Sequence, residues 1–227
     1  MFSHFEPTLI KFLRNLQANN ERDWFNDHKQ QYEDHVRSPA LAFIEQMEQW
    51  IPLISPHYEA SPKKIGGSLM RIYRDVRFSK NKSPYKTNLG IQFRHEVGKD
   101  AHAPGFYLHI AADEIFLGVG TWQPDRDSLA AIRDHIVTKP GPYLDAIEHE
   151  PFTDFYQLAG TKLIRPPKGY DKEHELIEEL KRKDFIAICQ LKESDLYQPD
   201  FCKMVASRFA RAQPFQKFIC EALGLRF

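Results

Sequence analysis

Hydrophobic and polar positions change period twice along the chain. Near the start Leu9, Ile10, Leu13 and Leu16 recur at helical spacing, and Pro7 suits a first helical position ahead of them. Asn19-Asn20 interrupts the stripe. Asn20 followed by Asp23 predicts an N-cap and an acidic first turn for a second helix carrying Trp24, Phe25, His28 and Tyr32. Ser38-Pro39 predicts the N-cap and first position of a third, with Ile44, Met47, Ile51 and Ile54 as its stripe and Pro52 weakening its last turn.

From Leu69 to Trp122 the period drops to two. The runs 69–78, 89–97, 105–112 and 114–122 alternate, and the last two are separated only around Asp113, which predicts a hairpin and antiparallel pairing. Four such runs in succession predict a meander, one face of which can stay polar. Helical spacing then returns. Leu129, Ile132 and Ile136 mark a helix over 125–137, and Leu176, Ile177 and Leu180 mark another over 172–182, whose acidic residues read as a solvated face. Two closing helices follow, one near 200–210 and one from Pro214 to about Gly224, with a short strand at Phe185–Cys189 before them. The class is α+β: an antiparallel sheet of four or more strands in the middle of the chain, packed by N- and C-terminal helices. The stretch 164–170 reads as a loop within one domain spanning 1–227, helical over 1–60, sheet over 65–124 and mainly helical over 125–227.

Composition narrows the class without naming a function. The chain has 227 residues, 42% apolar and 27% charged, which suits a folded domain rather than disorder. No apolar run approaches the roughly 18–20 residues of a membrane span. The N-terminus lacks a basic segment followed by an apolar stretch and a small-residue cleavage site. Cys189, Cys202 and Cys220 form no C-x-x-C pair, and an odd count argues against a disulfide framework. The expectation is a soluble cytoplasmic protein with inert buried thiols and no membrane partner. No feature of the sequence sets an oligomeric state.

Charge adds the one sharp feature. The net charge is zero, yet the window 62–88 holds Lys63, Lys64, Arg71, Arg74, Arg77, Lys80, Lys82 and Lys86 against Asp75 alone, a local +7. Segregated charge can attract an anion even to a neutral protein. On a strand Leu69, Arg71, Tyr73, Asp75 and Arg77 would share one face, while Met70, Ile72, Val76 and Phe78, interrupted by Arg74, would meet a helical layer. Pairing in register would bring Gln92, Arg94, Tyr107 and His109 onto the same polar face. Arginine forks bind carboxylate or phosphate in bidentate fashion and keep their charge. The turn 79–84 adds mobile ammonium groups. Asp75 and His109 are the candidate catalytic residues, as proton carriers or orienters. Arg71, Arg74, Arg77, Lys80, Lys82, Tyr85, Lys86, Arg94 and Tyr107 are the candidate ligand-binding residues. Trp24 and Trp122 join them as stacking platforms, although core aromatics are the plainer reading of both tryptophans. A solvated strand face with Asp75 ion-paired to its arginines is the plainer reading of the whole window.

Other signatures are missing. There is no H-E-x-x-H, no Cys/His pairing, no phosphate loop of the G-x-x-x-x-G-K-[ST] type, no dinucleotide fingerprint and no G-x-S-x-G elbow. Gly118-Val119-Gly120 reads as a strand thinned for packing. No metal and no cofactor are expected.

The run R-I-Y-R-D-V-R-F-S-K-N-K-S-P-Y-K at 71–86, with Asn19-Asn20 and Trp24-Phe25 ahead of it, resembles the family called domain of unknown function 2461. Y-L-H-I at 107–110, G-T-W-Q-P at 120–124 and Gly169, Tyr170 and His174 extend the likeness over nearly the whole chain. Glu175 departs from it, since the family pattern has proline after the histidine. The resemblance implies a cytoplasmic α+β domain and carries over no catalytic residue. Asn20, Trp24, Arg71, Arg74, Asp75, Arg77, Phe78, Lys82, Pro84, Tyr85, Lys86, His109, Trp122 and Pro124 match its recurring pattern.

Three functional readings follow. The first is an anion site, for phosphate or carboxylate, on an arginine-rich sheet face, with the protein as binder of, or enzyme on, a small phosphorylated or acidic metabolite. The second is a nucleic-acid-binding module using the basic turn 79–86; the neutral total charge makes it the weaker of the two. The third is a structural or partner-binding domain without a small ligand.

Overall fold

A computed structural model describes residues 2–98 and 103–227. Six strands form one antiparallel sheet in the order β1-β2-β3-β4-β6-β5. They are β1 (Tyr58–Glu59), β2 (Asn88–His95), β3 (Gly105–Ala111), β4 (Ile115–Thr121), β5 (Gln157–Ala159) and β6 (Phe185–Gln190). The meander and the hairpin at Asp113 are present as β2-β3-β4. The sheet also recruits β1, β5 and β6 from outside the alternating region.

The helices pack on one side. Helix α1 (Pro7–Ala18) buries Leu9, Ile10, Leu13 and Leu16, the stripe its spacing predicts. Phe43 and Phe209 come from α4 (Ser38–Met47) and α10 (Phe201–Arg211), and both rings meet Phe93 of β2, at 6.3 and 6.1 Å. Phe209 also meets Phe106 of β3 at 5.0 Å. α11 (Gln213–Ala222) adds Phe215 and Ile219 to the same core. These contacts identify the core face. It carries Leu89, Ile91 and Phe93 on β2, Phe106, Leu108 and Ile110 on β3, and Ile115, Leu117 and Val119 on β4, all buried. Strand alternation sends the intervening residues to the outer face.

Several local expectations are overturned. The run 69–78 is no regular strand. Ser68 and Met70 pair with the β2 edge through Gln92 N–H to Ser68 carbonyl at 2.8 Å and Met70 N–H to Gly90 carbonyl at 2.9 Å. The chain then leaves the sheet and pairs with itself: Arg74 N–H donates to the Pro84 carbonyl at 2.9 Å, Lys86 N–H to the Ile72 carbonyl at 2.7 Å, and Tyr73 faces Tyr85. The result is a basic arm over 71–86. Of its expected apolar face Ile72 reaches the core, but Met70 lies against Gly90 on the outer face and Phe78 is 96% exposed.

Asn20 is not a helix cap. Glu21 occupies that position before α2 (Arg22–Asp27). The Asn20 amide instead donates to the Tyr85 carbonyl at 3.0 Å and accepts from Tyr85 N–H at 3.1 Å, tying the arm to the helical layer. Nor does Ser38 start a helix. After α3 (Lys29–Tyr32) the backbone continues through a π-helical turn, Glu33–Arg37, into α4, with Ser38 N–H bonded to the Glu33 carbonyl. Pro39 cannot donate to the carbonyl four residues back, and a widened turn absorbs that defect without ending the helix. Pro52 sits in a separate helical turn, α5 (Ile51–Ile54).

Beyond β4 the chain forms α6 (Arg126–Thr138), capped by the Asp125 carboxylate, then α7 (Pro140–Glu148) and α8 (Glu150–Thr153). The helix expected over 172–182 shrinks to α9 (Ile177–Leu180), and its acidic side is not simply solvated. Glu179 accepts from Arg182 at 2.5 Å and from the Tyr143 hydroxyl at 2.7 Å. This part-buried pair staples the approach to β6 onto α7. No helix among the described residues is long and apolar enough to cross a membrane.

Candidate functional site

Register on the outer face brings polar residues into rows. Gln92 stands beside Tyr107 and Tyr107 beside Gly118; Gly90 stands beside His109 and His109 beside Phe116; Arg94 stands beside Gly105. Alternation along β2 adds Asn88 on the same side, and Lys86 lies just before the strand, with its N–H bonded to the Ile72 carbonyl of the arm. Asn88, Tyr107 and His109 form a compact group. The Tyr107 hydroxyl lies 3.1 Å from His109 Nδ1, and the Asn88 amide nitrogen lies 3.4 Å from the same atom. Phe116 stacks flat on the imidazole, with centroids 4.7 Å apart and planes 8° from parallel.

Gly90 makes room for this group. A Cβ there would stand 2.8 Å from the Tyr107 hydroxyl and 3.1 Å from Met70 Sδ. Burial raises the Tyr107 phenol to about 12, so it keeps its proton. Burial also lowers the His109 imidazole from its ordinary value, opposed by the negative charges of Glu114 and Asp113. The ring is therefore neutral at physiological pH.

The basic residues differ in what already engages them. Arg77 is spent: its guanidinium forks onto Asp75 at 2.7 and 3.0 Å, and the side chain is largely exposed. That fork, with the Arg77 backbone N–H, holds the Asp75 carboxyl down at about 2. Lys82 caps the arm internally, donating to the Val76 carbonyl at 2.9 Å. Lys80 extends from the tip into solvent. Lys86 differs. It is half-buried, no carboxylate pairs with it among the described residues, and its ammonium is pushed below its ordinary value by burial and by the nearby Arg71. Arg71 is exposed and Arg74 half-buried at the base of the arm.

Other candidates lie apart. No contact joins Asp75 to His109 among the described residues, so the two proposed proton carriers are not brought together. Tyr85 is a buried anchor stacked on Phe25 at 4.1 Å, not a surface contact. Trp24 stacks on His28 at 4.1 Å, on the edge of the core. Trp122 is 65% exposed, which overturns its reading as a core aromatic. Arg94 borders a cavity of about 400 Å³ lined also by Lys63, Gly67, Glu59 and Glu96. That cavity is weaker as an anion site because its two carboxylates offset its two cations. Among the described residues no group of three or more His, Cys, Asp or Glu is arranged to hold a metal.

Asn88 and Gly90 are the residues that sequence reasoning missed. The signal was present, since Lys86, Asn88, Gly90 and Gln92 alternate with Leu89, Ile91 and Phe93 just as the following strand residues do.

Comparison with curated proteins finds no match. Comparison with solved structures likewise finds none. The model of one family spans residues 8–218, nearly the whole sequence, including the arm, Asn20 and the Tyr107–His109 strand. The chain belongs to that family, described as conserved hypothetical protein (DUF2461).

Proposed function

We propose that the chain binds a small anion, a phosphate- or carboxylate-bearing metabolite, where the base of the basic arm meets the outer sheet face. The observation that carries this reading is Lys86 held half-buried near Arg71 with no carboxylate partner among the described residues. Crowding two cations costs free energy, and a bound anion removes that cost. Arg77, by contrast, already has its counter-ion in Asp75. Lys86 and Arg71 supply charge, with Asn88, Tyr107 and His109 as the adjoining polar wall.

A thermal-shift series tests the reading. Phosphate, sulfate and phosphomonoesters should raise the melting temperature of the wild type, because binding to the native state alone stabilises it by about 2.7 kcal/mol at a hundredfold excess over Kd. Arg71→Ala with Lys86→Ala should abolish the shift, and Arg77→Ala should retain it. An unshifted wild type, or an equal shift in the double variant, would reject the site.

One observation favours a second reading. Phe78 is 96% exposed at the arm tip, with the Arg77 guanidinium 5.8 Å from its ring centroid. An exposed ring among cations is a stacking platform for single-stranded nucleic acid. The neutral total charge counts against it, because the rest of the chain repels a long polyanion wherever it leaves the arm. Gel-shift titration at physiological salt separates the two. Sub-micromolar affinity lost on Phe78→Ala would favour the nucleic-acid reading.

A further inference from the structure

Two donors converge on one ring nitrogen of His109. The Asn88 amide nitrogen, 3.4 Å from Nδ1, has only hydrogens to offer. The Tyr107 phenol, 3.1 Å from Nδ1, has a hydroxyl hydrogen to give to a lone pair there. A proton on Nδ1 would face the hydrogens of the Asn88 amide. A lone pair there accepts from both. The hydrogen of the neutral ring must then sit on Nε2, at the far edge of the imidazole. Among the described residues Nε2 has no hydrogen-bond partner, and it is not among the buried polar atoms left without one.

We infer that Asn88 and Tyr107 hold His109 as its Nε2–H tautomer, so that the ring meets a ligand as a hydrogen-bond donor and the ligand presents a fully deprotonated oxyanion, as in sulfate or a phosphomonoester dianion. The ligand part rests on the anion site proposed above; the tautomer does not. Lys86, Arg71 and Nε2–H are all donors. A group with only lone pairs satisfies every one of them in any orientation, whereas a ligand hydroxyl would have to turn its hydrogen away from the three donors. Tyr107 and Asn88 are positioning residues, acting on the ligand through His109. His109 cannot take a proton from a ligand at Nε2, which already carries one. Its role there is to donate.

The fixed geometry also explains the packing around the ring. Phe116 stacked at 4.7 Å stops the imidazole from tilting, and Gly90 leaves space for the phenol that points at Nδ1. Rotating the ring by half a turn would place the Cδ2 carbon against Asn88 and Tyr107 and forfeit both contacts.

Two-dimensional long-range nitrogen–proton NMR on the labelled full chain, without added anion and near neutral pH, reads the tautomer directly. The wild type should show His109 Nδ1 with the shift of an unprotonated nitrogen and Nε2 with that of a protonated one. Asn88→Asp replaces the donor by a negatively charged acceptor of the same shape and should put a proton on Nδ1. Tyr107→Phe should leave a mixture of tautomers, because only the longer Asn88 contact remains. A wild-type ring protonated on Nδ1 overturns the inference whatever anions do. Sulfate should then shift the Nε2 resonance in the wild type, with affinity about threefold weaker in Tyr107→Phe, which loosens the tautomer without adding charge. Correct tautomers with no response to sulfate or a phosphomonoester, and no thermal stabilisation by either, would instead reject the anion site and with it the ligand class.

Discussion

At the scale of single residues, the outer face is governed by what burial does to polar groups. His109 has its proton affinity lowered in the fold, first by burial, so its neutral form is the native one. Lowered affinity means that the unfolded chain binds the proton more readily. Stability from this group is complete above the unfolded value of 6.5 and declines as pH falls below it. His135 is shifted the same way, by burial and by Lys139. His109→Gln should therefore flatten, without abolishing, the fall in melting temperature on acidification from neutral pH. An unchanged slope would mean that His109 titrates as in the unfolded chain. Gly90 gives a second residue-scale expectation. Its added Cβ would meet side-chain ends, the Tyr107 hydroxyl and Met70 Sδ, not backbone. Gly90→Ala should thus cost little more than about 1 kcal/mol in denaturant unfolding, a modest overpacking penalty, while displacing the phenol from His109. A loss of several kcal/mol would show that the phenol cannot move.

At the scale of elements, the basic arm is the part to explain. Its base is fastened by Ile72 and Tyr85 in the core and by the two Asn20 hydrogen bonds to the Tyr85 backbone. Asn20→Ala removes both bonds and leaves a part-buried amide and carbonyl unpaired. The expected loss is about 2 kcal/mol, at roughly 1 kcal/mol per bond. Limited proteolysis within 71–86 should accelerate in the variant more than cleavage elsewhere, and uniform acceleration would contradict the arm's dependence on Asn20. The arm also shows why part of the fold was legible and part was not. The strands at 89–95, 105–111 and 115–121 alternate because a helical layer covers one face, so burial wrote the pattern into the sequence. The run 69–78 alternates too, but Tyr73 answers to Tyr85 and Phe78 to solvent. Period reports an extended chain and does not say which partner it has. The same limit hid Asn20, whose residue type suits a cap as well as a grip on a distant backbone. It hid Glu179, whose acidic neighbours in sequence concealed Arg182 and Tyr143. Register placed Gln92, Arg94, Tyr107 and His109 on one face as the alternation predicts, whereas Asp75 went with the arm.

At the scale of the whole molecule, neutrality conceals a division. A +7 window is offset by the remainder of the chain. Beyond a Debye length of about 8 Å at physiological salt the two parts hardly sense each other, so a small ion at the arm base feels the cations while a long polymer feels both signs. This favours a small ligand at the base over a polyanion along the tip. The base and the tip make different forecasts in one experiment. Phosphate or sulfate titrated into the nitrogen-labelled chain, followed by backbone amide shifts, locates the bound ion without assuming a function. The anion site proposed here predicts saturable shifts at Lys86, Asn88, Tyr107 and His109, with weaker changes at Arg71. Shifts centred on Arg77–Lys82 or on the Lys63–Arg94 cavity, or none that saturate, would contradict it.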